Sequence, residues 1–105
     1  MQQNILAKIR GLVGIANKAG YLVIGSDNLK GYNKKLYLLL ISDNYGKTIE
    51  KITNQLKQST NCDVYTFCEN EFLQVVSVPN CKIVGIKNKG ISEEILKYIR
   101  SNDID

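Results

Sequence analysis

The stretch Leu36-Tyr37-Leu38-Leu39-Leu40-Ile41 decides the fold, because it is the most apolar run of the chain and carries no charge. Lys35 and Asp43 bound it. A short apolar run with charged ends is typical of a strand whose two faces are both buried in a sheet. We therefore predict that residues 36–41 form a central strand, with helices on both sides of the sheet.

Helical and strand-like segments alternate on either side of this run. Apolar residues at helical spacing predict a first helix that Gly20 ends. The predicted helices are 4–19, 26–32, 42–59, 69–76 and a closing one from 92, and the predicted strands are 21–24, 36–41, 63–67 and 81–86. This alternation predicts one α/β domain over residues 1–105, a three-layer α/β/α sandwich with a four-stranded sheet.

Polar residues at the predicted helix starts indicate caps. Ser26 or Asp27 is expected to cap the second helix, Ser42-Asp43 the third, and Ser92 the last. The third helix is predicted to bury one face, which carries Tyr45, Thr48, Ile49, Ile52 and Leu56.

The inventory of side chains excludes several kinds of site. No histidine is present, which removes hydrolases that use imidazole as a base and most catalytic zinc sites. Cys62, Cys68 and Cys81 lack paired C-x-x-C spacing, so we predict three reduced thiols and neither metal nor cofactor. The acids are concentrated in pairs that fit first turns of helices better than a general acid/base pair, and we predict no enzyme activity.

Charge is distributed unevenly along the chain, whose net charge is +4. Residues 1–60 hold nine lysines and arginines against three acids, whereas residues 61–105 hold five against seven. A basic half of this kind is typical of a surface that faces a polyanion, although a merely soluble lysine-rich surface has the same composition. No apolar run approaches the length of about 18 residues that a membrane span needs, and no signal-peptide pattern opens the chain. We expect a cytoplasmic protein without a membrane partner or a small-molecule substrate.

Three segments together resemble the L-seven-Ae/L-thirty-e ribosomal protein superfamily, and most of all its small bacterial YlxQ-like members. Residues 11–25, Gly-Leu-Val-Gly-Ile-Ala-Asn-Lys-Ala-Gly-Tyr-Leu-Val-Ile-Gly, are similar to the family's first helix, Ala-Gly turn and first strand. Residues 38–44 and 83–90 are similar to its second strand with the following helix cap and to its last strand with a Lys-Gly turn. The resemblance covers about residues 4–100 and implies a mixed sheet in an L-thirty-e-like sandwich.

The resemblance implies a noncatalytic protein, ribosome-associated or bound to kink-turn-like structured RNA. Family members contact RNA through the N-terminus of the second helix and the loop before the last strand. In this chain those positions are Gly25, Ser26, Asp27, Asn28, Lys30, Lys34, Val78, Pro79 and Asn80. Where the family's strong RNA binders place Asn, this chain has Asp27, and the family's lysine position holds Gly31.

Other interpretations of these residues stay open. Gly25 also suits a tight strand-to-helix turn, Asn28 and Lys30 a solvated helix face, and Val78-Pro79 plain turn chemistry. The departure of the second helix from the family pattern keeps open an alternative function, in which the same fold is a protein-interaction module that has lost RNA binding.

Overall fold

The computed structural model describes residues 1–104; Asp105, the last residue of the predicted domain 1–105, lies outside the described residues. Helices and strands alternate as predicted. The elements are α1 (Gln3–Lys18), β1 (Leu22–Ile24), α2 (Ser26–Leu29), β2 (Leu38–Ser42), α3 (Lys47–Thr60), β3 (Asp63–Phe67), α4 (Glu69–Val75), β4 (Ile83–Ile86) and α5 (Lys89–Ile104).

The four strands form one mixed sheet in the order β1-β4-β2-β3. β2 pairs with β3 in parallel and with β4 antiparallel, and β4 also pairs antiparallel with β1. Leu40 lies opposite Tyr65 on one side and Val84 on the other, so the apolar run is interior to the sheet, as predicted. The strand itself runs from Leu38 to Ser42, and all five of its residues are buried.

Alternation along β2 divides the core into two halves. Leu38 and Leu40 belong to the apolar cluster with α1, α4 and α5, whereas Leu39 and Ile41 belong to the cluster with α2 and α3. Side chains that alternate between two covered faces are what a doubly buried strand requires. The α/β sandwich predicted from the sequence is confirmed. We call the helical layer made by residues 26–35 and α3 the basic layer, because its lysines outnumber its acidic residues.

The third helix begins later than predicted, because Ser42 and Asp43 do not cap it. Ser42 is the last residue of β2 and pairs with Phe67, and the backbone N–H of Asp43 donates to the Phe67 carbonyl. The Asp43 carboxylate instead accepts a hydrogen bond from the N–H of Glu69, at 3.0 Å, and so caps α4. The N-cap of α3 is Gly46, and the predicted core positions 45 and 48 are consequently exposed.

Two other predicted helix limits are wrong. The last helix begins at Lys89, where the side chain of Asn88 accepts a hydrogen bond from the N–H of Ile91. Ser92, predicted as the cap, is a buried residue inside the helix. Neither Ser26 nor Asp27 caps the second helix, because both lie inside it and its N-cap is Gly25. The helix ends at Leu29 rather than near residue 32, because the chain leaves helical geometry at Lys30 and Gly31 has a φ of 73°.

Candidate nucleic-acid interface

A cleft of about 530 Å³ opens where the basic layer meets the end of the sheet. Three segments line it: residues 24–28 at the turn from β1 into α2, residues 46–49 at the start of α3, and residues 80–83 at the entry to β4. Segments far apart in sequence therefore meet at one place. Of the nine residues predicted to contact RNA, Gly25, Ser26, Asp27, Asn28 and Asn80 line this cleft.

Gly25 turns the chain from β1 into α2. Its φ of 85° and ψ of 160° lie in a region that essentially only glycine occupies. Its N–H donates to the Ile83 carbonyl at 3.0 Å, which fixes the turn against β4. A Cβ at this position would meet no protein atom within 4 Å, so the space in front of Gly25 is open. The backbone conformation requires glycine here, and the turn leaves main chain facing the cleft.

The polar residues after Gly25 have different environments. The Asn28 side-chain amide donates to the Ile24 carbonyl at 2.7 Å and so ties α2 back onto the end of β1. Asp27 is exposed in the only turn of α2, where a carboxylate is favoured by the helix dipole. Ser26 is half-buried. Asn28 therefore has a structural role, and Asp27 is the acidic group in the lining of the cleft.

The first turn of α3 supplies backbone donors to the cleft. Glu50 is the first residue of this helix whose N–H reaches a helical carbonyl, that of Gly46. The N–H groups of Lys47, Thr48 and Ile49 thus have no acceptor within the helix. Gly46 at the N-cap has no side chain to accept from them. These three residues line the cleft, which gives it a local excess of hydrogen-bond donors.

Two lysines lie beside this helix start. Lys47 is its first residue, and Lys82 reaches across so that its Nζ atom donates to the Asn44 carbonyl oxygen at 3.2 Å. Both side chains line the cleft, and both are exposed. Cations at the N-terminal end of a helix oppose its dipole, so this arrangement favours an anion between them.

Cys81 is one of the residues that line the cleft. It is buried, and its thiol donates to the Ile83 carbonyl at 3.3 Å. Burial raises the pKa of the Cys81 thiol above its usual value. Burial thus disfavours the reactive thiolate form of Cys81, whose side chain packs in the apolar cluster that contains Leu38 and Leu40.

Four of the residues predicted to contact RNA lie outside the cleft. Lys30 is exposed at the C-terminal end of α2, and Lys34 is exposed in the loop that leads to β2. Val78 is half-buried against the core on the opposite side of the sheet, where it lines a groove beside α1. Pro79 is exposed in the turn before Asn80, whose φ is 60°. Val78 therefore does not line the cleft that Gly25 lines.

Sequence reasoning missed Lys47 and Lys82 as members of the site. The predicted helix 42–59 places Lys47 inside the helix on its outer face, whereas α3 begins at Lys47, five residues after the predicted start. The signal that could have found it is Asn44-Tyr45-Gly46, a turn-forming sequence directly before the helix. Lys82 adjoins the predicted contact residue Asn80, but only the pairing of β4 with β2 shows which way that segment faces.

The two helical layers on either side of the sheet differ in net charge. The basic layer, residues 26–35 and α3, carries six lysines against two acids. The opposite layer, α1, α4 and α5, carries six basic residues against five acids. The positive excess of the helical layers therefore lies mainly on the side of the molecule that holds the cleft. This distribution is the electrostatic footprint typical of a nucleic-acid-binding face.

The described residues contain few features that point to other chemistry. Within residues 1–104, no three His, Cys, Asp or Glu side chains are grouped so that they could hold a metal ion. All three cysteines are free; Cys68 is exposed and the other two are buried. In the same part of the chain, no helix is both long enough and apolar enough to span a bilayer.

Comparison with known proteins supports the fold. No protein-family model and no curated protein matches the sequence. A solved structure from Bacillus halodurans C, described as a protein with unknown function, is similar with a TM-score of 0.71 and 22% identity. The match covers 90% of this chain and 98% of that one. At this identity the likeness establishes a shared fold, and the predicted family stays a prediction.

Proposed function

We propose that this chain is a noncatalytic RNA-binding protein of the cytoplasm, and that its cleft binds the phosphate backbone where a structured RNA bends sharply. The observation that carries the proposal is the meeting of Lys47 and Lys82 with the free N–H groups at the start of α3. A phosphate placed there accepts hydrogen bonds from the backbone and interacts favourably with the positive charge of both lysines. The RNA class is ribosomal or kink-turn-like, as the family resemblance implies.

The local energetics favour a ligand of negative charge. Lys47 at the first position of α3 costs stability relative to an acidic residue, typically about 0.3–1 kcal/mol, because it lies against the positive end of the helix dipole. Sequences that break such a local rule often do so at functional sites. A bound phosphate offsets the repulsion between the lysines and the positive end of the helix dipole, since both then attract the same anion.

A bent RNA suits the cleft better than a straight duplex. A regular RNA duplex presents a smooth double row of phosphates and hides its bases, whereas a bend splays phosphates and unstacked bases apart. The open space in front of Gly25 allows main chain and RNA to approach closely. Asn80, which also lines the cleft, offers an amide that can donate to and accept from a base edge.

A binding titration tests this proposal. The protein is titrated against a fluorescent kink-turn RNA and a straight duplex of equal length, at two salt concentrations. We expect the kink-turn RNA to bind more tightly and Lys82→Glu to weaken its binding at least about tenfold, through charge reversal beside phosphate. Lys97→Glu is the matched control, because Lys97 is exposed on α5 in the opposite layer. The proposal is contradicted if both RNAs bind with equal, weak affinity and Lys82→Glu leaves that affinity unchanged. That result favours the protein-interaction function.

A further inference from the structure

We propose that a single-stranded segment of the bound RNA leaves the cleft along the outer face of α3 and ends on Tyr32. This inference rests on the proposed function and adds a second contact surface, the α3 track, which consists of Lys47, Lys51, Asn54, Gln55, Gln58 and Tyr32. The occupant is RNA backbone and bases, since the track lies on the basic layer.

The α3 track is physically continuous with the cleft. Lys47 lines both the cleft and a groove of about 370 Å³ that runs on along α3 past Lys51 and Asn54. Gln55 and Gln58 line this groove and also a third depression, of about 580 Å³, which Tyr32 borders. Three depressions that share lining residues thus lead from one end of the helix to the other, across about 16 Å from Lys47 to Gln58.

The chemistry of the track suits nucleic acid. Lys47, Lys51, Asn54 and Gln58 recur at spacings of three or four residues, so they form one exposed stripe of α3. The two lysines provide charge for phosphates, and the amides that follow can both donate to and accept from sugars and base edges. Glu50 is the one acid in this lining, and it lies on the same helix between the two lysines. A stripe of charge followed by uncharged amides binds a strand without demanding one sequence.

Tyr32 provides a stacking surface at the far end. It is half-buried, packs against the cluster that contains Leu29 and Leu56, and its N–H donates to the Leu29 carbonyl at 3.0 Å. A tyrosine that is already held by packing loses little freedom when a base stacks on it. Stacking on an aromatic ring tolerates any base, which matches the amide stripe that precedes it.

The experiment compares the same kink-turn RNA without an extension and with a single strand of about eight nucleotides at either end, a length within the usual range of single-strand sites. An isolated strand of the same sequence is the third probe. We expect the extension at one end to tighten binding about tenfold. Lys51→Glu, Gln58→Glu and Tyr32→Leu should each remove most of that gain and leave the affinity for the unextended RNA within about twofold. Lys97→Glu should change neither value.

The outcomes separate this inference from the proposed function. The α3 track is overturned if neither extension tightens binding while the unextended RNA binds and Lys82→Glu weakens that binding. In that case the proposed role of the cleft still stands. If no kink-turn RNA binds, the proposed function fails and the isolated strand decides about the track. If the isolated strand binds and Lys51→Glu abolishes its binding, the result supports the α3 track. If the isolated strand does not bind, the result overturns the α3 track.

Discussion

The Lys82 ammonium donates a hydrogen bond across 3.2 Å to the carbonyl oxygen of Asn44, two residues before the N-cap of α3. This contact holds a cation from the entry of β4 beside the positive end of a helix whose first residue is also a lysine. The arrangement is unfavourable in the free protein and favourable once an anion is bound. Stability and binding should therefore respond in opposite directions to mutations here.

Lys47→Glu tests this opposition. An acidic residue at the first position of α3 interacts favourably with the helix dipole, so we expect the free energy of unfolding to rise by about 0.3–1 kcal/mol. The same change should weaken the binding of kink-turn RNA, because it places a carboxylate beside phosphate. Urea unfolding and an RNA titration of one protein sample measure both effects. A loss of stability together with unchanged affinity would show that Lys47 has a structural role instead.

Gly25→Ala should destabilise the protein by about 1–3 kcal/mol. The added methyl group would meet no other atom, because the space around the missing Cβ is open. The expected loss therefore comes from backbone strain, since alanine rarely adopts a φ of 85° with a ψ of 160°. Gly11→Ala is the matched control, since Gly11 lies inside α1 with equally open space and ordinary helical geometry. There we expect stabilisation by about 0.5–1 kcal/mol. Equal effects of the two substitutions in urea unfolding would refute this account of the turn.

Asp43→Ala should cost about 0.5–2 kcal/mol, the usual loss when a helix cap is removed. The helix that loses its cap is α4, through the N–H of Glu69, and not α3. Hydrogen exchange resolves the two possibilities, because protection should fall in the first turn of α4. A fall confined to the first turn of α3 would restore the assignment made from sequence.

Asp43 also shows which kind of contact cannot be predicted from the sequence. The order of all nine elements followed from hydrophobic periodicity, since period and run length are properties of the chain itself. Asp43 has the sequence of a local cap, but its partner lies 26 residues away on the next strand-helix connection. Contacts of this kind depend on the parallel pairing of β2 with β3, which no local pattern encodes.

The candidate site was predictable to a similar extent. The glycine and the polar residues after it predict a turn into a helix, and the family resemblance then implies that residues 25–28 contact RNA. The family resemblance implies RNA contact by the whole loop before β4, which includes Val78, whereas the loop divides at Pro79. Val78 faces the core beside α1, and Asn80 faces the cleft. Only the three-dimensional path of the loop separates them.

The cysteines should react with a thiol reagent in two phases. Cys68 is exposed and should be modified first, whereas Cys62 and Cys81 are buried. Because burial raises the pKa of Cys81, its thiolate fraction at pH 8 is smaller than that of an exposed cysteine. After denaturation without reductant, we expect all three thiols to titrate and elemental analysis to find no stoichiometric zinc. Fewer than three thiols, or bound zinc, would contradict the predicted reduced, metal-free state.

The salt dependence of RNA affinity is the most direct measure of whether the cleft binds phosphate. The logarithm of the association constant for the kink-turn RNA is measured against the logarithm of salt concentration for the protein and for Lys82→Gln, which removes the charge and keeps a polar side chain. Each lysine–phosphate contact contributes about 0.7–0.9 to the slope, so we predict that Lys82→Gln reduces its magnitude by about that amount and that Lys97→Gln does not. Identical slopes for all three proteins would contradict the central claim that the cleft between α2 and α3 holds the RNA backbone.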